Sequence, residues 1–537
     1  MINPTRCNLA KRFADIISDK LLAPFTCDMP YCMLIWTIMF FPDVIIRLVN
    51  LQIGDAISIA MMYYVIACAV VVVLNLNRWL GAVLKPAFYT VLVLFTALNI
   101  YCIIMYKDRL THDIVQIVAA TNYAEVREYI AMYFSWRMAA LLTLYLSASF
   151  VVYFAVLKIK VKRIRALWIP QVVFLSASVI LVSCYSDVRR EFYGWQLHID
   201  DMVDLCNYKT CPDIEYADGH LLPENVVIII GESFTPRHSS LYGYEKTTNP
   251  LLQERCDSGS LNLFYNVTST STHTLNTFKY LLNTHTPDMD DTTQWYKSTT
   301  LIEVLKTAGY HTAWFSNQIR TGRWDNIPSA HSKLCDESVF INDGMDAPLY
   351  DGGLLECMPT AARGGGYNSV FYHLMGQHIV FGHRYPKQYD IFKPDDYADT
   401  AKGLEQRLIL AQYDNATLYN DYIVNSIIGK YDDTDAVIFY FSDHGLDIYD
   451  TDPDYCGHAI AAIPESVSLC LEVPFMIYLS PKYREARPEI AERIRNSAGN
   501  EFRLDKLIYA VMDCVGIKFS GNDDVARYSI LGNSDKI

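Results

Sequence analysis

Apolar residues divide the chain into two parts that follow different rules. Before residue 187, long uncharged stretches occupy 56–77, 86–106, 138–157 and 166–186. Each has about the 20 residues that carry a helix across roughly 30 Å of hydrocarbon. A fifth stretch, 30–48, is interrupted by Pro42, Asp43 and Arg47, and counting it gives a consistent orientation. The run KIKVKRIR at 158–165 holds Lys158, Lys160, Lys162, Arg163 and Arg165, and an excess of basic residues marks the cytoplasmic side. Counting back from it, Arg78 and Lys85, then Lys11, Arg12 and Lys20, fall on that same side. Five spans leave everything after Ser186 outside. The first 29 residues lack the apolar core of a cleaved signal peptide, so the first span is expected to serve as the insertion signal.

After residue 187 the pattern shortens. Runs rich in β-branched and aromatic residues, at 224–233, 262–267, 311–317, 435–445 and 473–480, alternate with helix-like stretches. That alternation predicts an α/β sheet covered by helices on both sides. The expected organisation is a transmembrane domain of five spans at 1–186, a linker at 187–220 and an α/β/α sandwich at 221–537. Ligands in such sheets bind beyond the carboxyl ends of strands, which singles out Glu232, Asn317, Asp443 and His444. No Walker-type or GxGxxG loop is present to cradle a nucleotide.

Composition narrows the classes. Of 537 residues, 51% are hydrophobic and 19% charged, and the mean hydropathy is +0.11, high for a soluble protein. A net charge of −14 argues against the basic face that a nucleic-acid binder needs. Of the 14 cysteines, Cys206, Cys211, Cys256, Cys335, Cys357, Cys456, Cys470 and Cys514 lie in the outer region, where an oxidising compartment permits disulfides. Cys206 with Cys211 and Cys335 with Cys357 are the expected pairs, while Cys470 and Cys514 sit in apolar surroundings that equally suit free thiols.

Two carboxylates and an imidazole, Glu232, Asp443 and His444, suit zinc, with manganese behind it. Such a set leaves a position open, and a hydroxyl nucleophile is a natural occupant. The run TSTSTHT at 268–274 precedes a helix-like pattern. Thr274, at the edge of that helix, would gain both from a metal and from the free amides of the helix start. The same run equally suits a helix cap formed by Thr272 or Thr274, and Asp443 with His444 equally suits a turn after a strand. Taken singly, His378 and His458 read as polar loop residues.

Five ordered motifs change that balance. VVIIIGESFTPRHSSLYGYEKTTNP at 226–250, FYNVTSTSTHTLNTFKYLL at 264–282, GQHIVFGHRYP at 376–386, YDNATLYND at 413–421, and FYFSDHG with the later GH at 457–458 resemble the bacterial phosphoethanolamine transferases of the alkaline phosphatase and sulfatase superfamily. The resemblance runs along the whole chain. It implies an inner-membrane, multi-pass enzyme with a periplasmic catalytic domain. It also implies transfer of phosphoethanolamine from phosphatidylethanolamine to a hydroxyl on an envelope glycan or lipopolysaccharide. Thr274 matches the family nucleophile, Glu232, Asp443 and His444 its zinc ligands, and His378 and His458 the histidines that bind phosphate or a second zinc. In the outer loop after the third span, ATNYAEVREYI at 120–130 resembles the element that contacts the lipid headgroup, with Thr121 and Glu125 at its polar positions.

Departures bear on the acceptor. Thr270, Ser271 and Lys279 stand where members that modify lipid A usually have Cys, Gly and Pro, which favours a core sugar or periplasmic glucan. Thr235 holds the place of the family arginine, with Arg237 displaced. Two rivals share parts of this picture: a phosphoglycerol transferase of the lipoteichoic acid synthase type, and a non-catalytic membrane sensor. A sulfatase would carry a Cys-x-Pro-x-Arg run, which is absent.

Overall fold

The computed structural model describes residues 23–25, 28–49, 53–106, 110, 126–127, 129–130, 133–159, 210–217, 221–289, 295–320, 327–342, 350–360, 366–398, 401–453, 455–459 and 464–532. The chain forms two compact units. One comprises Met1–Gln116 with Phe134–Gln196, the other Ile117–Tyr133 with Leu197–Ile537.

In the first unit, helices α1 (Met29–Val49), α2 (Ile53–Leu74), α3 (Arg78–Tyr106) and α4 (Trp136–Leu157) occupy four of the five expected spans. The fifth, 166–186, lies outside the described residues. Among the described helices, Gly81–Met105 and Trp136–Leu157 are long and apolar enough to cross a membrane, while the apolar parts of the other two, Met29–Pro42 and Ile59–Leu74, are shorter. Tyr64, Ala67, Cys68 and Val71, spaced to share one face of α2, pack against Cys32 and Ile35 of α1 and Tyr89 and Val93 of α3. At one end of the bundle, Lys85 Nζ reaches Asp28 Oδ2 at 2.6 Å and Asn75 Oδ1 at 3.2 Å. That ties the start of α3 to the residue before α1 and to the turn after α2. Leu144, Val151 and Phe154 of α4 are exposed, as a hydrocarbon-facing surface requires.

The second unit is built on strands β1 (Ile214–Tyr216), β2 (Asn225–Gly231), β3 (Leu261–Phe264), β4 (Asn266–Thr268), β5 (His311–Ser316), β6 (Glu337–Phe340), β7 (Asn368–His373), β8 (Ala436–Ser442), β9 (Asp447–Ile448), β10 (Cys456–Gly457), β11 (Phe475–Leu479), β12 (Glu501–Arg503) and β13 (Ile517–Phe519). Among the described residues the main sheet has the order β3-β11-β8-β2-β7-β5-β6. It is parallel from β8 to β6, and β11 runs antiparallel to both of its neighbours. Every residue of β2 is buried, because Val226, Ile228 and Ile230 face one core and Val227 and Ile229 the other. That two-sided burial is why the strand is a continuous apolar run.

Helices α5 (Pro250–Asp257), α6 (Thr274–Leu281), α7 (Leu301–Thr307), α8 (Leu404–Gly429), α9 (Pro488–Asn496) and α10 (Leu507–Val515) accompany the sheet. Ala416, Tyr419, Ile423, Val424, Ile427 and Ile428 turn one stripe of α8 onto one face, while α7 and α10 pack on the other. α7 begins with a Thr300–Glu303 capping box.

The structure revises three expectations. The run 262–267 is two strands, broken at exposed Tyr265, with β4 pairing to β12 outside the main sheet. The short strand β7, to which the sequence pattern gave no role, sits beside β2. Cys335 and Cys357 are free thiols, since Cys335 packs on one face of the sheet and Cys357 on the other. Cys211 is also free, so the bridge expected to Cys206 is unmade; Cys206 itself lies outside the described residues.

Buried Arg487 pairs both terminal guanidinium nitrogens with Asp435, at 2.8 and 3.0 Å, and donates from Nε to the Leu221 carbonyl at 3.0 Å. Arg487→Met strands these partners and is expected to cost about 3–5 kcal/mol, read as a lower thermal midpoint of the intact protein.

Candidate active site

β2 and β8 lie parallel and adjacent, with Gly231 opposite Ser442. The next residues of each strand therefore emerge at one rim. Glu232, Asp443 and His444 are buried, and their ligand atoms lie within 4.8 Å of one another. α6 begins beside them. Thr274 Oγ1 donates to Glu232 Oε2 at 3.0 Å and lies 3.3 Å from His444 Nε2. The hydroxyl does not serve as a cap. His273 holds the N-cap position without a side-chain capping bond, and Thr272 Oγ1 donates to the Ala459 carbonyl at 2.8 Å.

The ring of His444 is oriented from behind. Its Nδ1 donates to the Gly445 carbonyl at 2.8 Å, which turns Nε2 toward Glu232 Oε1 at 3.1 Å and Asp443 Oδ2 at 3.5 Å. Burial lowers the basicity of this imidazole, but Asp443 and Glu232 outweigh it and push its pKa up. Burial and the neighbouring Glu232 push Asp443 up. Burial would raise Glu232 too, yet His444, with His378 and His458 further out, holds it well below the usual carboxylate range. The cluster is thus short of positive charge. Asp443 Oδ1 accepts from the His444 amide at 2.8 Å, while Oδ2 is buried without a hydrogen bond. An orphaned carboxylate oxygen beside a second carboxylate, an imidazole nitrogen and a hydroxyl fits a divalent cation that takes nitrogen and oxygen ligands.

A second layer holds these groups. Ser233, directly after Glu232, has a left-handed φ of 58°, a costly conformation for a residue with a side chain. Tyr413 of α8 clamps it, donating to the Ser233 carbonyl at 2.7 Å and accepting from the Thr235 amide at 3.0 Å. The turn after β7 packs on Glu232 from the other side. A Cβ on Gly376, φ 51°, would lie 2.8 Å from the Glu232 carbonyl oxygen and 2.9 Å from its nitrogen, so only glycine fits. Asp351 fixes that turn by accepting from Met375 N and Gly376 N at 2.8 and 2.9 Å.

His458 enters this centre, its ring 4.6 Å from that of His444 and stacked at 4.9 Å on His273. His378, on the turn after β7, lies within electrostatic reach of Glu232. Asn317 does not join them: its amide donates to Asp351 at 2.9 Å, so it braces the turn. Thr121 and Glu125 lie outside the described residues. The sequence pattern gave no role to Tyr413, Gly376, Asp351 or His273. Tyr413 and Gly376 stand inside two of the five motifs and His273 in the threonine run, but only their contacts reveal what they do.

A family model described as Sulfatase matches residues 224–517, more than half of the chain. The chain belongs to the sulfatase family. Within it, the phosphoethanolamine transferase EptC of Escherichia coli (strain K12) is 24% identical over 466 residues, 78% of each chain. The C-terminal periplasmic domain of EcEptC from Escherichia coli, solved in complex with Zn, superposes with a TM-score of 0.53 at 24% identity, covering 62% of this chain and 92% of that one. The integral membrane protein lipooligosaccharide phosphoethanolamine transferase A from Neisseria meningitidis gives a TM-score of 0.61 at 17% identity over 91% of this chain and 95% of its own. At these identities the structural likeness establishes the fold, an alkaline-phosphatase-like α/β unit joined to membrane helices.

Tyr413→Phe removes both hydrogen bonds that clamp Ser233. The expected cost is about 1–3 kcal/mol of stability, with metal binding weakened about tenfold or more, measured by thermal unfolding and by chelator titration of the metal-loaded protein.

Proposed function

We propose that this chain transfers phosphoethanolamine from phosphatidylethanolamine to a hydroxyl of an envelope glycan or lipopolysaccharide, with Thr274 as nucleophile and zinc as cofactor. The observation that carries the reading is the Thr274 hydroxyl held between Glu232 and His444 beside an unsatisfied Asp443 oxygen. The transferred group is supported by the relatives named as phosphoethanolamine transferases, and zinc by the Zn complex of the EcEptC domain. The apolar helices and that relative's C-terminal periplasmic domain support a multi-pass protein of the bacterial inner membrane with its catalytic unit in the periplasm.

Thr274 Oγ attacks phosphorus, and the bond to the diacylglycerol oxygen breaks, leaving phosphoethanolamine esterified to Thr274. The acceptor hydroxyl then attacks the same phosphorus and restores the threonine. Glu232 accepts the hydroxyl proton in the resting geometry. His378 and His458 hold phosphate oxygens, and one or the other gives a proton to the departing diacylglycerol alkoxide and then takes one from the acceptor hydroxyl. The free amides at the start of α6 face the same anion. Thr121 and Glu125 are the candidates for the headgroup, a carboxylate pairing with the ethanolamine ammonium. Zinc held by Glu232, Thr274, Asp443 and His444 would lower the hydroxyl pKa and neutralise phosphate charge.

With the full chain in phosphatidylethanolamine vesicles, Thr274→Ala is expected to cut diacylglycerol release by at least about 10³-fold. Release at the normal rate would remove the nucleophile. Glu232→Ala and Asp443→Ala should lose bound zinc together with activity, assayed by elemental analysis of the purified protein. Phosphatidylglycerol vesicles test the transferred group, since equal turnover there would point to phosphoglycerol transfer instead.

A further inference from the structure

His458 reaches the site on a short support. β10 is two residues, with Cys456 opposite Ile448 and Gly457 opposite Asp447 of β9, and so small a ladder holds its position weakly. Contacts from elsewhere fix it. Beyond the strand, His458 Nδ1 donates to the Thr272 carbonyl at 3.0 Å, and the Tyr455 hydroxyl donates to the His458 carbonyl. Before it, the Tyr133 hydroxyl donates to the Cys456 carbonyl at 3.1 Å. Gly457 has φ 149°, and a Cβ there would sit 3.0 Å from the Tyr133 hydroxyl oxygen, so the glycine lets the tyrosine tip approach the main chain closely. The Tyr133 ring packs on Tyr129 with centroids 4.8 Å apart. Both tyrosines belong to Ile117–Tyr133, which clusters with the catalytic unit, and Tyr133 stands directly ahead of α4, which starts at Trp136.

We infer that Tyr133 is a positioning residue that fixes the strand carrying His458 and thereby sets the alignment of this histidine. The contact is built for that purpose: a hydroxyl bonded to the main chain two residues from the imidazole, against a glycine that keeps the approach close. Withdrawing the hydroxyl leaves β10 held at one end, and His458 tilts from Thr272 and His273. The inference rests on the reading of His458 as a group that acts on the phosphate. It adds that Tyr133, just ahead of α4, completes the support of that histidine.

The test uses the full chain in phosphatidylethanolamine nanodiscs. Tyr133→Phe keeps the ring and removes the bond; kcat for diacylglycerol release is expected to fall about tenfold with KM within about twofold. In a His458→Asn background the same change should alter kcat by less than about twofold, because the two residues act as one unit. Unchanged kcat in Tyr133→Phe, or the same loss in both backgrounds, overturns the inference. If His458→Asn alone retains full kcat, the role of His458 in the reaction is what fails. The coupling is then decided by amide hydrogen exchange over residues 455–459: faster exchange in Tyr133→Phe upholds it, and unchanged exchange overturns it.

Discussion

Two carboxylates buried side by side are the constraint on which the outer unit turns. Like charges about 4 Å apart repel by on the order of 4 kcal/mol even at an effective dielectric near 20, so Glu232 and Asp443 stay together only if something positive sits between them. His444 turns Nε2 into the gap between them, 3.1 Å from Glu232 Oε1 and 3.5 Å from Asp443 Oδ2, where a nitrogen lone pair and two carboxylates can share a cation. The arrangement is set by strand pairing, because parallel β2 and β8 end in register and must deliver their next residues to one place. A rim that concentrates negative charge around one hydroxyl suits a divalent cation and a phosphate that brings its own charge.

The support around the rim explains why several polar residues lie deep in the fold. Asp414, Asn415, Asn420 and Asp421 of α8 are all buried. Asn415 accepts from the amides of Ile391 and Phe392, each at 2.8 Å, and Asp421 accepts from Leu251 and Leu252 at the start of α5 at 2.9 Å. His238 and Tyr244 both bond to Asp414 at 2.8 Å. Buried polar groups are costly unless paired, and these pin loops that would otherwise drift. α8 thus does two jobs, turning one apolar stripe to the sheet while its polar positions fasten the backbone that follows Glu232.

In the membrane unit the signals are of a different kind. A span is legible from composition alone because hydrocarbon tolerates almost nothing but apolar side chains over that length. The interior of the bundle is not. Tyr31, Tyr64, Tyr89 and Tyr153 are all buried, and Trp36 Nε1 donates to the Ala60 carbonyl at 2.8 Å. An apolar tally gives no hint that aromatic rings and polar tips occupy the seams between helices. The interruption of 30–48 by Pro42 does not end α1, which runs through it.

By itself the sequence determined the division into apolar spans and an outer α/β region, the main strands β2, β5, β8 and β11, and the residue types able to hold a metal. Each depends on a local period, a run length or a side-chain chemistry readable one segment at a time. Tertiary structure alone decided which of those residues meet. β7 was marked by no run in the sequence pattern, so its place beside β2 appears only once the parallel sheet is assembled, and with it the glycine turn against Glu232. Asn317 stands at a strand end like Glu232 and Asp443, yet the order of strands places it two positions away from β2, where it bonds Asp351 instead. The cysteine pair expected from spacing is separated by the sheet itself. Contacts between residues hundreds of positions apart are set by strand order and helix packing, and no local pattern records them.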